Sequence, residues 1–346
     1  MKHLFTILLT LFSFYASGYA QKPFKVVFYN LENFFDLEND PDVLDDEFTP
    51  EGPKKWTKDK YDKKLSNIEK VFFDIAAINK DYPAVIGVCE IENRNVLEDI
   101  VATQKLSPAN YRIVHYDSPE LRGVDAAFMY RPDVLKLEGS KAIRTVIPSL
   151  PDFKTRDIVT MWGKIDQEDF FFMVAHWPSR LGGKEASALR RIAVGNQMRH
   201  IADSVRALRP STKVVMMGDF NDDPTDESIS GEKGIGAKIK VKEVTPADYY
   251  APFAALLKVG YGTLAYGDAW NIFDNIVVSG NLINEDKDQL KLKKTDNSKF
   301  YGHIFKRHYM VQKEGQFKGY PLRTYVGNNF QGGFSDHFPV YIYIGK

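Results

Sequence analysis

Eight polar residues stand where apolar runs of the sequence stop: Asn30, Glu90, His176, Asp219, Asn221, Asp274, Asp336 and His337. If those runs are strands that end at a common edge, the chain brings four carboxylates, two amides and two imidazoles into one cleft. The donors are mostly hard oxygens with no thiolate among them, which suits magnesium or manganese better than zinc, with calcium as an alternative. Any one of these residues alone would more often cap a helix or make a turn. Their shared placement is what points to a single cluster of metal ligands.

The elements that must position these residues can be read from periodicity. Phe24–Asn30 mixes β-branched and aromatic residues and reads as a buried first strand. Further strands are predicted at 84–90, 111–116, 126–130, 158–165, 170–176, 214–219, 275–279 and 340–344. Helical spacing of Tyr61, Leu65, Ile68, Phe72, Ile75 and Ile78 predicts a helix over 58–79. A second is predicted over 184–206, carrying Leu189, Ile192, Ala193, Asn196, Ile201 and Val205. The strands at 158–165 and 170–176 are too close in sequence for a crossover and must pair antiparallel. The expectation is an α/β sandwich of mixed sheets covered by helices, in one domain over 21–346. The acidic segment Asp36–Glu51 lacks the glycine-centred spacing of a calcium loop and reads as solvated.

Four of the segments, in this order, resemble the motifs of the endonuclease/exonuclease/phosphatase superfamily: Tyr29-Asn30-Leu31-Glu32-Asn33, Val88-Cys89-Glu90-Ile91-Glu92-Asn93, Gly218-Asp219-Phe220-Asn221 and Ser335-Asp336-His337-Phe338-Pro339-Val340. The resemblance spans nearly all of residues 24–344 and implies a four-layer αββα sandwich of two mixed, largely antiparallel sheets flanked by helices. Carried over residue by residue, it makes Glu90 the principal metal carboxylate, with Asn30 beside it and Asp336 nearby. Asp219 would orient and deprotonate the attacking water, and Asn221 would hold that water or a phosphate oxygen. His176, followed by Trp177 where the family usually has Leu, resembles the histidine that contacts the phosphate. Asp274 occupies the place of a carboxylate that pairs with a catalytic histidine, either His337 or His176. Together the cation and the two imidazoles would neutralise the phosphate oxygens. Arg156, Arg122 and Ser179 are further candidates for phosphate contact, and for the arginines a surface salt bridge is the competing reading.

Composition narrows the setting. Lys2, the apolar run Leu4–Tyr15 and the small residues before Gln21 form a secretory signal peptide, so residues 1–20 are expected to be cleaved and the enzyme exported. With one cysteine, Cys89, no intrachain disulfide can form. The full chain has zero net charge, so attraction to a polyanion has to come from a local patch. Residues 281–320 hold nine Lys/Arg against five Asp/Glu, interleaved with Phe300, Tyr301, Phe305, Tyr309, Phe317 and Tyr320. Such a stretch could neutralise a backbone and stack on bases, or it could be a solvated hairpin with its aromatics packed underneath. Within the resemblance, Phe317–Thr324 is similar to a feature of exported, endonuclease-like bacterial members. The expected substrate is nucleic acid. A phospholipid or small phosphoester, with Tyr249–Phe253 as a modest membrane-docking stretch, is the second reading, and a catalytically silent binding module is the third. No protein partner can be inferred, and a monomer is expected.

Overall fold

Each segment that reads as a strand from its β-branched and aromatic residues forms one. In the computed structural model, which describes residues 22–284, 288–295 and 297–346, the strands divide between two large sheets. Residues 1–20, where a signal peptide is expected, lie outside the described residues. In the first sheet the order is β13 (Lys291–Lys293), β17 (Val340–Gly345), β1 (Phe24–Phe34), β2 (Val85–Ile91), β4 (Asp125–Tyr130) and β3 (Arg112–His115), with β14 (Gly302–Ile304) also on β17. In the second it is β5 (Lys136–Ile143), β6 (Ile158–Ile165), β7 (Glu168–His176), β8 (Lys213–Asp219), β12 (Asp274–Ser279) and β9 (Tyr249–Tyr250). Two short hairpins, β10–β11 (Leu264–Tyr266 and Ala269–Asn271) and β15–β16 (Tyr325–Val326 and Asn329–Phe330), stand apart.

Each sheet contains one parallel pair, and a long helix makes each crossover. Helix α1 (Lys58–Ala77) joins β1 to β2, and α3 (Lys184–Leu208) joins β7 to β8. The other neighbours in both sheets are antiparallel. Side chains alternate accordingly. Val26 and Phe28 of β1 meet Met161, Phe172, Val174 and Met217 between the sheets, while Val27, Tyr29 and Leu31 face α1 and α2 (Arg94–Ala102). Phe171, Met173, Val214 and Met216 of the second sheet face α3. The result is the expected αββα sandwich.

Several elements were absent from the sequence reading, the longest of them β5 and α2. The edge strand β5 has no buried residue and so no apolar alternation to betray it. Helix α2, of nine residues, is too short for a clear period, although its Asn93 cap accepts the Asn95 and Val96 N–H groups. On α3 the buried face differs from the expected stripe. Ser187, Arg191, Val194, Gly195, Met198 and Ala202 face the sheet, and Leu189 is 71% exposed. A buried arginine rotates this face away from the larger apolar residues: Arg191 reaches Asp222 at 2.8 Å and donates to Ser187 Oγ at 2.7 Å. Arg191→Ala removes one of two arginines from the buried Asp222 carboxylate, which keeps Arg180 and Ser228, and a loss of about 1.5–3 kcal/mol in urea unfolding is the expected result. A loss under about 1 kcal/mol would show that the pair carries no such weight. The acidic segment is less solvated than expected, since Asp45 is buried and accepts the Asp40 N–H.

Candidate active site

The polar residues sit where both parallel pairs end. Asn30 and Glu90 come from the carboxyl ends of β1 and β2, His176 and Asp219 from those of β7 and β8. The carboxyl end of a parallel pair is where an α/β sheet presents side chains to a crevice. Strand register then sets the lateral spacing: His176 lies opposite Asp219, and Asp219 opposite Asp274. Local backbone turns aim the groups. Glu90 sits in a bulge of β2 against β4 with φ +60°, and Asn221 follows β8 with φ +50°. Both are left-handed conformations of non-glycine residues, held only where their surroundings enforce them. A Cβ on Gly218 would meet Ala175 O at 1.9 Å, so the strand that delivers Asp219 requires glycine there.

The two sheets meet at this edge. Asn30 Nδ2 donates to Glu90 Oε1 at 3.1 Å and to Asp219 Oδ2 at 3.0 Å, bridging them. Its Oδ1 accepts the Glu32 N–H, which fixes the amide between the two carboxylates. His176 Nε2 lies 3.6 Å from Asp219 Oδ2 and 3.9 Å from Glu90 Oε1. Glu90, His176 and Asp219 thus converge closely enough to share one metal ion. On the other side, His337 Nε2 lies 3.8 Å from Asp219 Oδ2 and 3.9 Å from Asp336 Oδ1. Its Nδ1 is 2.7 Å from Asp274 Oδ2, which settles the partner of Asp274 as His337 rather than His176.

Charge and burial set the protonation states. Burial, opposed by His337 and reinforced by Asp274, raises the Asp219 carboxyl to about 7. Burial also disfavours an imidazolium at His337, yet Asp274 and Asp219 outweigh it and hold its pKa well above the ordinary value. At His176 burial and the Arg156 and Arg122 charges act together and keep the ring neutral. The two histidines therefore differ. Asp274 and Asp219 favour the imidazolium at His337, whereas burial and the nearby arginines favour the neutral ring at His176.

The remaining candidates separate. Arg156 Nη2 lies 3.5 Å from His176 Nε2, and its buried Nε has no partner among the described residues. Arg122 is about half exposed, pairs with Glu120 at 3.1 Å and also donates to Asn33 Oδ1 at 3.4 Å. Ser179 is exposed and its Oγ accepts the Leu181 N–H, with no contact to the cluster. Asn221 is part of the cluster through its N–H on Asp219 Oδ1 at 2.9 Å, while its Nδ2 donates to Trp177 O. The bulk of Trp177 is turned outward, fully buried under α3 and stacked on Phe220 at 4.2 Å.

Sequence reasoning missed the supports. Arg323 forms an ion pair with Asp336 and lies 3.6 Å from Glu32 Oε1, while buried Lys64 on α1 donates to Phe334 O at 2.9 Å and lies 4.0 Å from Glu32 Oε2. No spacing links residues so far apart, and only a lysine at an inward position of α1 hinted at the network. Arg180, stacked over Phe273 at 4.2 Å, ties down Asp222 and Asp226 beyond β8. Tyr249, Tyr250, Ala251 and Phe253 are buried, so the stretch singled out for membrane docking is core.

The sequence over residues 25–346 matches the Endonuclease/Exonuclease/phosphatase family. The chain belongs to that family. Like its other members, this endonuclease/exonuclease/phosphatase protein is a metal-dependent phosphoric ester hydrolase. Solved structures share the fold. D. rerio TDP2 complexed with a single strand DNA product has a TM-score of 0.54 at 13% identity, over 94% of this chain and 100% of that one. A Bacteroides thetaiotaomicron mannosyl-6-phosphatase has a TM-score of 0.54 at 16% identity, over 93% and 100% of the two chains. The human nocturnin catalytic domain with bound sulfate has a TM-score of 0.50 at 14% identity, over 93% and 94%. No curated protein matches the sequence. Among the described residues no helix is long and apolar enough to cross a membrane.

Proposed function

We propose that the chain is an exported phosphodiesterase that hydrolyses nucleic acid, acting through one catalytic domain over 21–346 after removal of residues 1–20. The observation that carries the chemistry is the convergence of Glu90, His176, Asp219 and His337 from two sheets within 3.6–3.9 Å of one another in sequence of contact. Hard carboxylate oxygens with one neutral imidazole suit magnesium or manganese. Glu90 would hold the cation with His176 and Asp219 adjacent, and the bound ion would supply positive charge to the phosphate oxygens.

The chain's own residues do the rest. Water attacks phosphorus in line with the leaving oxygen, Asp219 takes the proton that the water releases, and the bond to the leaving oxygen breaks as that oxygen takes a proton from solvent. A carboxyl with a pKa near 7 is matched to this task at neutral pH. His337, kept cationic by Asp274, donates to a phosphate oxygen whose charge grows in the transition state. Arg156, whose buried Nε has no partner among the described residues, binds another. Arg156→Ala is accordingly expected to raise KM about tenfold with kcat changed less than threefold, as measured by initial rates; a fall in kcat alone would remove it from substrate binding.

Support for a nucleic-acid substrate comes from the basic, aromatic stretch near the C-terminus. It divides in the structure: Phe305 is buried and Phe300, Tyr301 and Tyr309 pack against the cores, as the hairpin reading expected, while Phe317 and Tyr320 line a cavity beside Asp336. The test is to offer the purified protein plasmid DNA, RNA, sphingomyelin and bis-p-nitrophenyl phosphate with magnesium and with chelator. Metal-dependent cleavage of DNA or RNA is expected, and hydrolysis of sphingomyelin alone would overturn the substrate assignment.

A further inference from the structure

A cavity of about 520 Å³ opens beside the catalytic cluster, with Asp336 and Arg323 on the wall that faces it. Asp336 Oδ1 is also 3.9 Å from His337 Nε2, so the cavity and the cluster share this carboxylate as a wall. We propose that this cavity seats one unpaired nucleobase of the substrate, next to the scissile phosphate; the inference rests on the nucleic-acid reading above.

Three aromatic rings and three carboxamides make the fit. Phe317 and Tyr320 are tilted at 49° with centroids 5.7 Å apart, and Tyr266, 83% exposed, is the third ring of the lining. Gln312, Gln316 and Gln331 add side chains that both donate and accept hydrogen bonds, as the edge of a base requires. The charged lining is Arg323 against Glu314 and Asp336, a poor match to a duplex backbone and a good one to a neutral ring. The volume is in the range that encloses a small organic group. The walls are already built. Tyr320 Oη donates to Asp268 Oδ1 at 2.7 Å and so pins the β10–β11 turn, where Gly267 and Asp268 have φ of +55° and +61°. The Gln312 N–H donates to Tyr320 O, which closes the facing loop on itself. A preformed aromatic slot stacks a base with little ordering cost.

The test uses single-stranded oligonucleotides, the matching duplexes, and an oligonucleotide carrying 2-aminopurine, whose fluorescence falls on stacking. The expected results are preferential cleavage of single strands and quenching of 2-aminopurine on binding to Asp219→Asn, which keeps the cavity. Tyr266→Ala and Phe317→Ala should each raise KM for the oligonucleotide by about fivefold or more with less than a twofold change in kcat. Both rings are partly exposed, and circular dichroism checks that the variants fold. Cleavage of oligonucleotides with an unchanged KM in both variants, or no preference over duplex, overturns the cavity assignment alone. Wild-type turnover of bis-p-nitrophenyl phosphate without cleavage of any oligonucleotide overturns the nucleic-acid reading and the cavity with it.

Discussion

Asp219→Asn is expected to lower kcat by about a thousandfold or more and, at the same time, to make the protein more stable above neutral pH. The first effect follows from loss of the group that takes the water's proton, for which removal of a general base costs roughly 10²–10⁴ in rate. The second follows from burial. The folded-state pKa of Asp219 is about 7, above an unfolded value of about 3.9, so the wild type is fully stable with respect to this group only below pH ~4. That stability is lost progressively as pH rises through 7 and the carboxylate is forced to ionise in a dry site. Asn cannot ionise, so the difference in Tm between variant and wild type, measured in chelator, opens from pH 4 and levels off above 7. Loss of the attraction to His337 offsets part of the gain, which leaves an order of 1–3 kcal/mol. An Asn variant with kcat within tenfold of wild type would remove Asp219 as the base. An unchanged Tm at pH 8 would show that the carboxylate is not strained by its surroundings.

Asp274→Asn should have the next largest effect, a loss of about a hundredfold in kcat/KM with a displaced pH profile. In the wild type the profile rises as Asp219 deprotonates near pH 7 and falls when His337 loses its proton. The two groups face each other at 3.8 Å, so the limbs belong to the pair. His337 owes its protonation at neutral pH to Asp274 and Asp219 acting against burial. With Asn at 274 burial regains ground, the imidazolium gives up its proton at lower pH, and the alkaline limb moves toward acid. Asp274 is fully buried, so a Tm measurement must accompany the kinetics. A folded Asp274→Asn enzyme whose alkaline limb has not moved would show that the pairing with His337 does not govern the histidine's charge.

How far the site could be read from the sequence depended on strand ends. Asn30, Glu90, His176 and Asp219 were legible because each terminates a run whose apolar residues must be buried, and a polar residue at such an end is exposed to the crevice. Asp274 and His337 were legible as residues, but the pairing between them was open until β12 and the start of β17 were placed in space. Arg323, Glu32 and Lys64 were not legible as a group, because an ion network joins residues from β1, α1 and the C-terminal loops with no shared period.

The sequence by itself determined the inventory: alternating and helical apolar patterns that commit the chain to strands and crossover helices, and four ordered motifs at the strand ends. Those are local properties, written in residue type and spacing. Only the tertiary structure decided which imidazole is favoured as a cation, which carboxylate is strained, that Ser179 stands clear of the cluster and that Tyr249–Phe253 is core. Such outcomes depend on distance, burial and the summed fields of groups up to some three hundred residues apart in the chain, quantities that have no value until both sheets are packed.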